Sequence, residues 1–211
     1  MEINYDELNK INKKIKDYPK SSLLIVTKNR PQNLVKSLID KGYLLFGENK
    51  VQEAESKYYN LINNKNLKLH LIGPLQTNKV KTALSLFDTI QTIDRPKLIK
   101  EISKQIKLNK NLKTKNYFIQ VNIGEESQKS GIVPSETKNL YELALSENLN
   151  VTGLMCIPPI SHNPSIYFKK MNELRQFIDP KFKISMGMSN DYETALINHS
   201  DLIRIGSRIF L

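Results

Sequence analysis

The 211-residue sequence lacks any apolar run of the roughly 18 residues that a membrane-spanning helix requires. Its first residues, MEINYDELNK, lack the apolar centre of a secretory signal, so the cytoplasm is the expected location and no membrane partner is expected. Cysteine is nearly absent. The single Cys156 excludes an intramolecular disulfide and suits a reducing compartment, and its apolar surroundings predict a small core residue. No GxGxxG string follows the first apolar run, which removes the fingerprint of a dinucleotide-binding open sheet. His162 and His199 stand at no spacing from cysteine or carboxylates that would mark a metal site. No linker or low-complexity stretch divides the chain, so one domain spanning residues 1–211 is expected.

Arginine is also scarce. The net charge is +11, yet only five of the 32 basic residues are arginine (Arg30, Arg95, Arg175, Arg204 and Arg208). The lysines are scattered among many Asn and Ile, as in a genome rich in A and T, so base composition accounts for the charge as well as selection for a polyanion does. The densest basic run, KQIKLNKNLKTKN at 104–116, has no aromatic residue on which a base could stack. It reads as a solvated helix end and loop, and no specific nucleic-acid partner is expected.

What is present is alternation. With 39% hydrophobic and 25% charged residues the chain has an ordinary globular composition, and its apolar runs recur at intervals. They are LLIVT from 23, LLFG from 44, LHLIG from 69, TIQTI from 89, YFIQVNI from 117, VTGLMCI from 151, FKISMGM from 182 and DLIRIG from 201. Between them apolar residues fall at helical spacing: Leu34, Val35, Leu38 and Ile39; Leu98, Ile99, Ile102 and Ile106; Leu140, Leu143 and Ala144; Phe168, Met171, Leu174 and Phe177. A further helix over roughly 5–18 precedes the first strand. Strand–helix alternation implies parallel pairing with right-handed crossovers. Eight such units predict an α/β fold, a closed (β/α)8 TIM-type barrel, over a doubly wound sheet.

A barrel of this kind gathers functional groups at the C-terminal ends of its strands. Lys28 ends the first strand, GEN (47–49) the second, GPLQTN (73–78) follows the third, MGMSN (186–190) the seventh and RIGS (204–207) ends the eighth. Gly/Ser turns after the last two strands are where barrels commonly hold a phosphate, because free backbone N–H groups favour an anion. An amine facing a phosphate site is what pyridoxal phosphate (PLP) requires, since a lysine captures its aldehyde as a Schiff base.

The stretches VTKNRP, FGENKVQEA, LHLIGPLQTNK, IDR, QVNIGEESQKSGI, GLMCIPP, SMGMSNDYETA and RIGSRIF resemble, in order and spacing, the pyridoxal phosphate homeostasis protein family, over nearly the whole chain after residue 20. The resemblance implies a barrel like the barrel half of alanine racemase, with PLP bound covalently through Lys28 of VTK. It further implies that Arg204 of RIG faces the pyridine nitrogen. Ser189 of GMS, with Gly206 and Ser207 of RIGS, would hold the phosphate, and Asn49 of GEN would lie beside the cofactor. The implied function is holding and delivering PLP to control its intracellular (vitamin B6) level, with PLP-dependent apoenzymes as partners and a monomeric state. The alternative is a PLP-dependent amino-acid racemase or lyase. An arginine, with a pKa above about 12, does not readily protonate the ring nitrogen, and the chain leaves no residues for the second domain that supplies an opposing base in racemases of related fold. No catalytic residue is therefore assigned, and no turnover is expected.

Plainer roles compete at each position. Lys28 is expected to be partly buried beside Arg204, but a lysine at a strand end can simply be solvated. Arg204 could pair with Asp201 or Asp191, and Ser189 could be a helix N-cap. His70 lies inside a strand, where a hydrogen-bonded core or lumen histidine is expected rather than a base. Lys129 and Ser130 of KSGI are expected to orient the loop after the fifth strand. The sequence departs from the family pattern at Lys50, Ser207 and Arg208, and in ending at Leu211, which leaves the N-terminal helix as the expected cover for the last strand.

Overall fold

A computed structural model describes residues 2–61, 64–109, 112–160 and 163–211; His162 lies outside the described residues. Eight parallel strands close on themselves in chain order: β1 (Ser22–Val26), β2 (Leu45–Glu48), β3 (Lys68–Leu71), β4 (Thr89–Ile93), β5 (Asn116–Val121), β6 (Val151–Cys156), β7 (Lys183–Ser185) and β8 (Leu202–Ile205). Closure is made by β1 against β8, with Leu24 opposite Arg204 and Ile25 opposite Ile205. The expected (β/α)8 barrel is what the chain forms. The helices are α1 (Tyr5–Ile15), α2 (Gln32–Asp40), α3 (Val51–Tyr58), α4 (Val80–Leu86), α5 (Pro96–Leu108), α6 (Thr137–Ser146), α7 (Ser165–Ile178) and α8 (Tyr192–Ile197).

The two-residue period of a strand sorts the apolar side chains into two sets. Ile25, Phe46, Leu69, Leu71, Ile90, Ile119, Leu154, Ile184 and Ile203 face outward into one continuous core shared with the helices. Leu24, Ile72 and Leu202, with Val26 and Leu45 against them, form a separate cluster inside the barrel. The helix faces expected at 34–39, 98–106 and 140–144 supply buried residues to the outer core. Phe177 is the exception, being exposed with Lys138 over its ring. Helices α3, α4 and α8 carry six to eight residues each, too few turns for an apolar period to stand out in the sequence.

The first helix starts where Asn4 caps it by accepting from the Glu7 N–H at 3.0 Å. It buries Leu8 and Ile11, and its leading segment pairs with the chain end through an Ile3–Phe210 antiparallel bridge and reciprocal bonds between Glu2 and Leu211. The N-terminal helix packs against β1, and the segment before it pairs with the residues that follow β8; the helix is shorter than the expected 5–18.

Inside the barrel His70 shares a 2.8 Å hydrogen bond with Gln91, the lumen role expected of it. Burial pushes its pKa down from 6.5 to about 4, only partly offset by the nearby Asp88. The folded imidazole is therefore neutral where the unfolded one takes a proton. Its contribution is complete above about pH 6.5 and is lost as the pH falls toward 4, in total about 3 kcal/mol. Between pH 6.5 and 5, thermal stability should decline in the parent and decline less in His70→Gln, the difference between the two isolating the histidine from the carboxylates that titrate at the lower end. Parallel melting curves across that window would contradict this.

Candidate binding site at the C-terminal mouth of the barrel

The strand alternation places Leu24 and Val26 inside the barrel, and the turn that carries Lys28 follows directly after the C-terminal end of that strand. β1 itself stops at Val26; Thr27 still bonds across to Gly47 and is fully buried, while Lys28 lies in a turn and is exposed. The expectation that Lys28 ends the strand, partly buried, is corrected on both points. The cause is Thr27, whose side chain and carbonyl are taken up by groups of β2 and α3 (Glu48, Lys57 and Tyr58), so the strand ends two residues before Lys28. Asn29 follows at φ +56°, a left-handed conformation that asparagine tolerates better than most residues. The Lys28 amine has no hydrogen bond or ion pair among the described residues.

Arg204, on β8, lies deeper and is 3% exposed. Its guanidinium donates to Ser185 Oγ and to the Cys156 carbonyl, each at 2.8 Å. It pairs with neither Asp201, which bonds Arg175 at 3.2 Å, nor Asp191, which accepts from the Met188 N–H at 2.6 Å. Burial holds the guanidinium below its ordinary pKa, partly opposed by the Cys156 thiol and Asp191. A cation this deep without a carboxylate is unusual, since buried charges are ordinarily paired. Cys156 is fully buried and unpaired in a disulfide, and burial pushes its thiol up to about 12, so it is the unreactive core residue expected.

The turns after β7 and β8 meet. Ser207 donates a 3.1 Å hydrogen bond to Ser189 Oγ, which brings together the two hydroxyls predicted for a phosphate. Ser189 does not cap a helix: Asp191 occupies the N-cap of α8. Gly187 turns the chain at φ +90°, and Gly206 approaches β1 so closely that a Cβ there would lie 2.9 Å from the Val26 carbonyl oxygen. Glycine at 206 therefore lets this turn approach the end of β1, just before the Lys28 turn. Arg208 bonds the Ser189 carbonyl at 3.2 Å and ion-pairs with Glu7, tying the same turn to α1. Asn49, partly buried just past β2, has Gly73 packed against its backbone, a Cβ at 73 falling 2.2 Å from the Asn49 oxygen. Lys129 donates to the Pro158 carbonyl at 3.0 Å and ion-pairs with Glu126, linking the loops after β5 and β6. Among the described residues no cluster of side chains could hold a metal ion, and no helix is long and apolar enough to cross a membrane.

Sequence reasoning missed a polar cluster behind the Lys28 turn. Glu48, of GEN, is fully buried; its Oε1 accepts from Thr27 Oγ1 at 2.7 Å and from Lys57 Nζ at 2.6 Å. Burial raises the Glu48 pKa, against the opposing pull of Lys57 and Thr27. The Glu53–Lys57 pair at i,i+4 on α3 was the available signal, but such pairs are commonplace on exposed helices.

No family model matches the chain. It is similar to the pyridoxal phosphate homeostasis protein of Aquifex aeolicus, 37% identical over 199 residues that cover 90% of this chain and 86% of that one. The Escherichia coli protein of the same name is 34% identical over 202 residues, covering 90% and 84%. Among solved structures, PipY of Synechococcus elongatus with PLP bound superposes with TM-score 0.83 at 27% identity, covering 98% of this chain and 99% of that one. The alanine racemase of Acinetobacter baumannii, at 15% identity and TM-score 0.76 over 98% of this chain and 61% of that one, shares the barrel. Identities above a third over most of both chains, on a barrel whose mouth carries the VTK, GEN, GMS and RIGS motifs, show that the chain belongs to the pyridoxal phosphate homeostasis protein family.

Proposed function

We propose that this protein binds PLP at the C-terminal mouth of its barrel, anchored covalently as a Schiff base on Lys28, and serves to hold and release PLP rather than to turn over a substrate. The carrying observation is Arg204, a guanidinium 3% exposed whose hydrogen-bond partners among the described residues are a hydroxyl and a carbonyl, directly opposite Leu24 on β1. A buried donor group in that state suits a ligand whose ring nitrogen accepts from it. The other groups fit as well. Lys28 offers an unengaged amine, Ser189 and Ser207 offer hydroxyls, and Gly206 exposes backbone with no side chain in the way. Asn49 lines the adjoining turn. PLP itself supplies an aldehyde for the amine and a dianionic phosphate for the Gly/Ser turns. That PipY of the same fold has PLP bound and that the curated relatives are named for PLP homeostasis support the reading.

Within it, one domain over residues 1–211, a monomeric state, a cytoplasmic location and PLP-dependent apoenzymes as recipients are parts of the proposal. Ser189→Ala should weaken PLP binding about tenfold, the magnitude of one hydrogen bond to a charged group, and equilibrium dialysis reads this directly. Unchanged affinity would move the phosphate elsewhere. Gly206 is the poorer probe, because any side chain there first displaces the Val26 carbonyl.

The second reading is a PLP-dependent racemase or lyase, favoured by the shared barrel of alanine racemase. Arg204 keeps its own protons and so weakens the electron sink that such chemistry uses. Alanine racemisation should not exceed that of free PLP in a chiral assay. Many turnovers, abolished in Lys28→Ala, would place the protein among the enzymes instead.

A further inference from the structure

We infer that the Lys57–Glu53 ion pair of α3 is a positioning device for Lys28, fixing the peptide groups on both sides of it. The inference rests on the proposal that Lys28 anchors PLP. Lys57 Nζ donates to the Thr27 carbonyl at 2.5 Å, and Glu53 Oε1, its partner at 2.8 Å, accepts from the Asn29 N–H at 2.5 Å. The first bond holds the peptide unit that enters Lys28, and the second holds the one that leaves it. Lys28 itself has no side-chain partner among the described residues, so its root is pinned while its amine is left available. Thr27 is held a second time by Glu48 and Tyr58, each at 2.7 Å from Oγ1.

Three features separate this cluster from an ordinary helix salt bridge. The Lys57 side chain is 6% exposed, and lysine is almost never buried without a specific partner set. The pair also reaches off its helix to grip a turn that holds Asn29 in a left-handed conformation, uncommon outside glycine even though asparagine tolerates it. Finally, Glu48 Oε2 is buried with no hydrogen bond among the described residues. A cluster selected for stability alone would be better replaced by apolar packing. Holding a reactive side chain in a narrow geometry is what supporting residues of this kind accomplish, and loss of that geometry costs binding or rate.

The test compares two ligands. PLP carries ring, phosphate and aldehyde; pyridoxine 5′-phosphate carries ring and phosphate but cannot condense with an amine. Glu53→Ala removes the acceptor of the Asn29 N–H at a helical position that alanine favours. It should raise the dissociation constant for PLP on the order of tenfold while leaving that for pyridoxine 5′-phosphate unchanged. Lys57→Met should show the same split more strongly, with circular dichroism confirming that the barrel remains. Equal weakening of both ligands would mean a merely structural role, and no change in either would mean none; each overturns the inference. If the parent protein carries no borohydride-trapped label on Lys28, the PLP reading itself fails, and that failure is visible before any variant is made.

Discussion

Lys28→Ala should abolish covalent retention of PLP while leaving the barrel folded. The Lys28 side chain is exposed and makes no hydrogen bond or ion pair among the described residues, so its removal should change stability by no more than about 0.5 kcal/mol, as for ordinary surface positions. The turn beneath it is held by backbone bonds from Lys57 and Glu53, which the substitution leaves in place. PLP in the parent would be secured at two ends, by the amine and by the Ser189–Ser207 turn. Losing one end of a two-point attachment forfeits the effective concentration it provided, a weakening of about a hundredfold or more. Equilibrium dialysis with matched circular dichroism measures both quantities. Retention equal to the parent, or loss of the folded signal, would contradict the account.

Arg204→Leu should separate stability from binding with opposite signs. The guanidinium lies between β6, β7 and β8, bonded to Ser185 Oγ and the Cys156 carbonyl and, among the described residues, to no carboxylate. An unneutralised cation in that position is disfavoured by desolvation, which is why its pKa is lowered. Leucine of similar volume removes the desolvated charge and extends the inner apolar cluster of Leu24 and Leu202, at the loss of two hydrogen bonds. Buried charges are costly to desolvate and their replacement by packed apolar groups is often neutral or stabilising, so the melting temperature without ligand should hold or rise. PLP affinity should fall on the order of tenfold to a hundredfold, because the ring nitrogen loses its donor. A variant that melts lower than the parent and binds PLP as tightly would show that Arg204 serves the fold and not the ligand. Function retained at the expense of stability is a common signature of a binding site.

The barrel was legible because its signal is global. Eight apolar runs separated by helical spacings leave few topologies, and β4 matches its expected span, Thr89–Ile93, residue for residue. Strand ends were less legible because local hydrogen bonds, not apolarity, decide them. VTK continues the apolar run, but Thr27 bonds to Glu48 and Tyr58 and ends β1 before Lys28. MGM after β7 likewise looks like strand, yet Gly187 at φ +90° and the Asp191 bond to the Met188 N–H turn the chain away. Chemistry-bearing residues with a motif, such as Ser189 and Ser207, could be placed from the sequence, and the structure brings them together at 3.1 Å. Lys57 could not. Nothing in QEAESKY distinguishes a lysine that turns inward from one that faces solvent; only the arrival of Thr27, Glu48 and Glu53 at one point does so.

The central claim is that the Lys28 amine is the covalent anchor for PLP. Incubation of the folded protein with PLP, reduction with borohydride and peptide mass spectrometry tests it directly, because reduction fixes the ligand to the nitrogen that held it. The account predicts the pyridoxyl group on Lys28 at near-stoichiometric yield. A label found chiefly on Lys79, Lys129 or another lysine would contradict it, even if PLP binding itself were confirmed.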